Sequence, residues 1–153
     1  MPSPYVDLAL YNRAGRLIAI AEVKNKQGTS SEWATKFRRN MLVHGGYSQA
    51  DFFLLVTPDR LYLWKNASTA PTLIQPTYEL DAQPLFAPYF ERAGISPNDI
   101  SGQAFELVIA AWLGDLVRLE EQREAFTEGQ RVLAESGFLT AVRDGRIEYE
   151  EAA

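Results

Sequence analysis

Two strand-length runs near the start of the sequence constrain its fold most, because each is apolar on almost every side chain. Residues 5–12 (Tyr-Val-Asp-Leu-Ala-Leu-Tyr-Asn) and 17–25 (Leu-Ile-Ala-Ile-Ala-Glu-Val-Lys-Asn) flank the tetrapeptide Arg-Ala-Gly-Arg. Their β-branched and aromatic content, broken by a glycine turn, predicts a hairpin. Successive side chains alternate across a strand. One face therefore carries Val6, Leu8, Leu10, Leu17, Ala19, Ala21 and Val23, and the other carries Ala9, Tyr11, Ile18 and Ile20. A hairpin apolar on both faces needs a covering layer on each side, as in an α/β or α+β sandwich built around one sheet.

Three polar side chains interrupt these strands. With a two- or four-residue loop centred on Ala14 and Gly15, paired positions sum to 29, so Asp7 lies opposite Glu22. Lys24 emerges on the same face one pair further along. Two facing carboxylates repel each other and are costly to bury, and a divalent cation relieves both difficulties. The sequence has no cysteine and a single histidine, His44, so the ligands of such an ion must be carboxylates and carbonyls. That donor set favours Mg²⁺ or Mn²⁺. On an exposed edge the same Glu-x-Lys spacing is only a solvated ion pair. The doubly apolar strands favour the metal site over that alternative.

The remainder reads as alternating elements. Thr29 and Glu32 have capping-box spacing ahead of Trp33, Phe37 and Met41, which predicts an amphipathic helix ending at Gly45-Gly46. Lys36, Arg38, Arg39 and Asn40 belong to this helix, with Lys36, Arg39 and Asn40 off its apolar stripe. A continuous apolar run at 52–56 and the alternating 61–64 predict two more strands, the second ending in a partly exposed Trp64. Residues 67–84 read as loop or irregular crossover. Helices are expected at 84–93, 101–124 and 128–135, the second with Phe105, Val108, Ile109, Trp112 and Leu116 on one stripe, followed by a short segment at 138–142. Past Asp144-Gly145 the sequence reads as an acidic tail. The acids Glu120, Glu121, Glu124 and Glu128 read as a solvated helix face, Phe86, Tyr89 and Phe90 as packing, and His44 as a helix-end residue without a catalytic role.

At 153 residues the chain suits one domain, 1–153, with a sheet core at 4–66 and a helical part at 84–143 packed on it. The composition, 46% hydrophobic and 23% charged, is that of a soluble globular protein. No apolar run approaches a membrane span, and no secretory signal precedes the first strand, so a cytoplasmic location is expected. The net charge of −5 is divided unevenly: residues 1–66 carry nine Lys/Arg against five acids, and the rest carry six against fifteen. A phosphate backbone responds to the local field, so any nucleic acid is expected on the basic half.

An Asp on one strand, a turn, Glu-Val-Lys on the next strand, then a helix with basic residues and a buried strand: over residues 4–66 the chain resembles the PD-(D/E)XK nuclease superfamily. The resemblance implies a restriction endonuclease-like core with a mixed central sheet and flanking helices. It implies that Asp7, Glu22 and the Val23 carbonyl ligate Mg²⁺ or Mn²⁺ and that Lys24 orients or activates the attacking water. It further implies that Lys36, Arg38, Arg39 and Asn40 approach a DNA backbone, with Gln27 assisting from the adjacent loop. The implied activity is hydrolysis of DNA phosphodiester bonds in a restriction, repair or mobile-element context. Two departures stand out. Val6 precedes the Asp where many members have Pro, and only six residues precede Asp7 where members usually carry an acid-bearing helix, so that helix is missing, supplied from elsewhere in the chain, or lost through a misplaced start. The helix at 101–124 can take that helix's place in a permuted arrangement, with Glu106 as the acid. Alternatives are a catalytically silent module of the same fold that binds nucleic acid or protein, and an oligomeric structural protein pairing, as a homodimer, through its C-terminal helices.

Overall fold

The computed structural model describes residues 7–44, 49–119 and 126–149. Among them the chain forms β1 (Leu8–Tyr11), β2 (Leu17–Val23), α1 (Ser31–His44), β3 (Phe52–Val56), β4 (Arg60–Lys65), β5 (Tyr78–Asp81), α2 (Gln83–Ala93), α3 (Gly102–Leu116), α4 (Glu128–Glu135), α5 (Phe138–Val142) and β6 (Arg146–Tyr149). The strands make one mixed six-stranded sheet in the order β5-β4-β3-β2-β1-β6. Only β2 and β3 run parallel; every other neighbouring pair is antiparallel. A parallel pair needs a long crossover, and α1 provides it.

The expected burial of the hairpin on both faces is observed. Ile20, Phe53, Leu55, Tyr62 and Trp64 pack under α1 through Trp33, Phe37 and Met41. On the opposite face Leu8, Leu10, Ala21, Leu54, Val56, Leu61 and Leu63 join a larger core with the apolar sides of α2, α3, α4 and α5. The result is three layers, helix on sheet on helices, an α/β arrangement of the general α+β class.

The hairpin reaches the expected register by another route. Gly15 N–H donates to the Asn12 carbonyl at 2.9 Å, Asn12 N–H donates to the Arg16 carbonyl at 2.9 Å, and Gly15 has φ 87°. Residues 13–15 thus form a three-residue loop, a turn closed by a left-handed glycine. That loop alone would offset the strands by one residue. Tyr11 faces Leu17 but Leu10 faces Ala19, so Ile18 is an extra residue in a β-bulge, and beyond it Leu8 faces Ala21. The bulge restores the pairing that sets Asp7 beside Glu22. It also reverses two side chains: Ile18 joins the larger core with Ala19, and Leu17 turns to the α1 side.

Other expectations need correction. The cap of α1 is Ser30, whose Oγ accepts the Trp33 N–H at 3.1 Å; Thr29 instead shares a 2.8 Å hydrogen bond with the Tyr62 hydroxyl. Trp64 is buried, because its indole N–H donates to the Ile74 carbonyl at 2.8 Å. Residues 78–81, expected as loop, form edge strand β5 against β4. The expected tail contains β6, which pairs with β1 from Leu8↔Tyr149 to Tyr11↔Arg146. Gly145 makes that return possible: a Cβ there would lie 2.0 Å from the Tyr11 carbonyl oxygen. The stripe predicted on α3 is buried throughout, and the helix closes at Leu116. Glu120, Glu121, Glu124, Val6 and the expected helix stop at Gly45-Gly46 lie outside the described residues. No helix among the described residues is long and apolar enough to cross a membrane.

Candidate functional site

Asp7 leads into β1, and Glu22 stands near the end of β2, where the restored register brings the two together. The Asp7 Oδ2 accepts the Val23 N–H at 2.7 Å, which fixes the carboxylate against the β2 backbone. Glu22 is 4% exposed, and its pKa is pushed up to about 9. Burial is the main cause, followed by a hydrogen bond with the Asp7 carboxylate and by the charge of Asp7; Lys24 and a backbone contact with Asp7 pull the other way. The pair therefore holds a proton at neutral pH when no cation replaces it.

Lys24 follows on the segment leaving β2. Its N–H donates to the Val56 carbonyl at 2.9 Å, extending the parallel pairing, and its ammonium lies 5.3 Å from the centroid of the Phe37 ring on α1. The aromatic face holds the cation near the carboxylate pair. Glu106, on α3, belongs to the same electrostatic neighbourhood: burial raises its pKa first, the charge of Asp7 raises it further, and Lys24 lowers it. Asn25 ties the end of β2 to the approach to α3 through a 2.8 Å bond from its amide to the Ile100 carbonyl.

The oxygen donors gathered here suit a hard divalent cation, which would offset the burial and the Asp7 charge that now make Glu22 keep its proton. Asp7 and Glu22 would hold it. Among the described residues no group of three His, Cys, Asp or Glu is drawn together as a metal centre, so Glu106 acts on the pair through its field and not as a third member of a cluster.

The helix residues predicted to approach a nucleic acid divide into two sets. Lys36 is exposed and pairs with Glu32 at 3.1 Å, and Arg39 Nε donates to Asn40 Oδ1 at 3.1 Å on the outer surface. Arg38 points inward instead. It is 3% exposed, with its guanidinium 5.7 Å from the ring centroids of both Phe53 and Trp64 and a 2.9 Å bond to the Ser68 carbonyl. It fastens α1 to the sheet, so the expected backbone contact through Arg38 does not fit its position. Gln27 is also turned from the carboxylates, because its amide donates to Asn98 Oδ1 at 2.8 Å and to the Pro97 carbonyl at 3.3 Å. There it helps line a cavity of about 390 Å³ with Asp59, Gln83, Glu91 and Asn98. Sequence reasoning missed that cavity because its walls come from four separated segments with no shared spacing. No family model matches the chain, and no curated protein or solved structure matches it.

Proposed function

We propose that the protein is a metal-dependent nuclease of PD-(D/E)XK type that hydrolyses DNA phosphodiester bonds at Asp7, Glu22 and Lys24. The observation that carries this is the meeting of the Asp7 and Glu22 carboxylates at the end of β2 with Lys24 beside them. The hairpin, the α1 crossover and the parallel β2–β3 pair support a restriction endonuclease-like core around the site. Glu106 feels the charges of Asp7 and Lys24, which supports α3 facing the site in a permuted order, although Glu106 is not gathered with the carboxylate pair.

Asp7 and Glu22, with the Val23 carbonyl, hold the cation in this reading. When bound, a Mg²⁺ or Mn²⁺ ion supplies Lewis-acid polarisation and charge neutralisation at the phosphodiester. Lys24 provides a fixed positive charge that orients the attacking water and stabilises the charge growing on the phosphate oxygens. Lys36, Arg39 and Asn40 lie outward on α1, where they can meet the backbone of the strand. The decisive experiment incubates plasmid and single-stranded DNA with the protein in Mg²⁺ or Mn²⁺, with Lys24→Ala as control. Cleavage by wild type alone is expected, and no cleavage of either form refutes the activity.

A second reading is a catalytically silent module of the same fold. It is favoured by the absence, among the described residues, of a third carboxylate gathered with Asp7 and Glu22. Mn²⁺ binding without hydrolysis would select it.

A further inference from the structure

The cavity is lined from the segments that follow the carboxyl ends of the parallel strands β2 and β3, the position where open α/β sheets place their ligands. Its volume of about 390 Å³ falls within the range of small-ligand pockets. Gln27 follows Lys24 by three residues along the segment leaving β2, so at most about 10 Å separates their Cα atoms. Pro58, also in the lining, comes two residues after Val56, whose carbonyl accepts the Lys24 N–H.

The chemistry of the lining selects its occupant. None of the lining residues is Lys, Arg or His, while Asp59 and Glu91 are both acids, so a phosphate is repelled. Asp59 is held in place by the Thr57 hydroxyl and the Gly28 N–H, both at 3.2 Å. Gln27 gives its amide N–H₂ to Asn98 Oδ1 and Pro97, which leaves its own Oε1 as an acceptor next to the Asn98 amide donor. Phe90 contributes an apolar wall. A planar, uncharged heterocycle with both donors and acceptors on its edge matches this set. Carboxylate acceptors favour an exocyclic amino group over a carbonyl.

We propose that this cavity receives one unpaired nucleobase bearing an exocyclic amino group, from the strand whose phosphodiester lies at Asp7, Glu22 and Lys24. The proposal deepens the nuclease reading and rests on it. The phosphates stay on the Lys24 side, and the base turns into the acidic pocket. Single-stranded or locally opened DNA is then the preferred form, because a base within a duplex cannot enter without leaving its stack.

The test compares fluorescence anisotropy of equal-length labelled oligo-dC and oligo-dT at pH 7.5 in EDTA and low salt, for wild type and two cavity variants. Ala87→Trp fills the cavity from an exposed position on α2, and Glu91→Gln, also exposed, removes one acceptor charge. Wild type is expected to bind oligo-dC about 5-fold or more tighter than oligo-dT. In each variant that ratio should fall towards one. A ratio near one in wild type, or a ratio that survives both substitutions, overturns the pocket assignment and leaves hydrolysis at the carboxylate pair standing. A ratio that obeys the prediction while Mn²⁺ yields no cleavage supports the pocket and removes the nuclease reading. Failure of every oligonucleotide to bind overturns both.

Discussion

Replacing Glu22 with glutamine should stabilise the metal-free protein at neutral pH. In the unfolded chain Glu22 releases its proton near the ordinary value of 4.5, whereas in the folded protein it keeps that proton up to about 9. Between these values the native state binds more protons than the unfolded state, so stability falls as pH rises. From pH 4.5 to pH 7 the loss is about 1.4 kcal/mol per pH unit, or about 3 kcal/mol altogether. The amide of the Glu22→Gln variant would donate an N–H to Asp7 as the protonated acid does, and it cannot titrate. The variant should therefore match wild type near pH 4 and exceed it by about 3 kcal/mol at pH 7, or roughly 6–12 °C in Tm for a chain of this size. Urea denaturation in EDTA from pH 4 to pH 8 measures the difference directly. Adding Mn²⁺ should then narrow it, because an ion that binds only the folded wild type adds stability by mass action. A stability difference that is the same at pH 4.5 and pH 8, or a variant less stable than wild type at pH 8, would refute the shared-proton account of this pair.

Three further outcomes are expected. Lys24→Ala should keep Mn²⁺ affinity in calorimetric titration while hydrolysis falls by ~10²-fold or more, since an ammonium cannot ligate a cation but does stabilise the reacting charge; cleavage at the wild-type rate would remove Lys24 from the mechanism. Arg38→Ala should lower the urea midpoint, because it empties a buried slot between Phe53 and Trp64, whereas Lys36→Ala combined with Arg39→Ala should leave the midpoint unchanged and weaken DNA binding with a shallower salt dependence. The opposite assignment of those two effects would place the nucleic acid elsewhere. Gly145→Ala should destabilise by about 2 kcal/mol or more, because its Cβ meets the Tyr11 carbonyl; an unchanged melting temperature would show that β6 can shift away from β1 at no cost.

The sheet core was legible because its signals are local. Apolar runs with alternating faces gave β1 to β4, and the position of Glu22 and Lys24 relative to Asp7 followed from strand alternation. The hairpin register agreed at Asp7 and Glu22 only because two departures cancelled, the three-residue loop and the bulge at Ile18. Neither has a composition signature strong enough to read in advance. β5 and β6 were missed because short edge strands carry few apolar residues and depend on the ladder they join; Ile147 and Tyr149 did hold a faint alternation. Arg38 was misplaced because a charged residue is ordinarily exposed, and only the Phe53 and Trp64 rings, remote in sequence, reveal its slot. The proximity of Glu106 to Asp7 depends on how α3 returns to the sheet, a tertiary relation that α3's own periodicity does not contain.

The pairing of β6 with β1 also sets an order of assembly. The hairpin and the α1 crossover close short segments, so their contacts can form early. The ladder from Leu8↔Tyr149 to Tyr11↔Arg146 closes nearly the whole described chain. Its entropic cost grows only slowly with length, but the search for it is long. Asp7 adjoins Leu8 but is held by the Val23 N–H of the hairpin, so the carboxylate pair does not wait for that contact. A folding chain would therefore bring Asp7 to Glu22 together with the hairpin, and the ladder to β6 would close along the outer side of β1 afterwards.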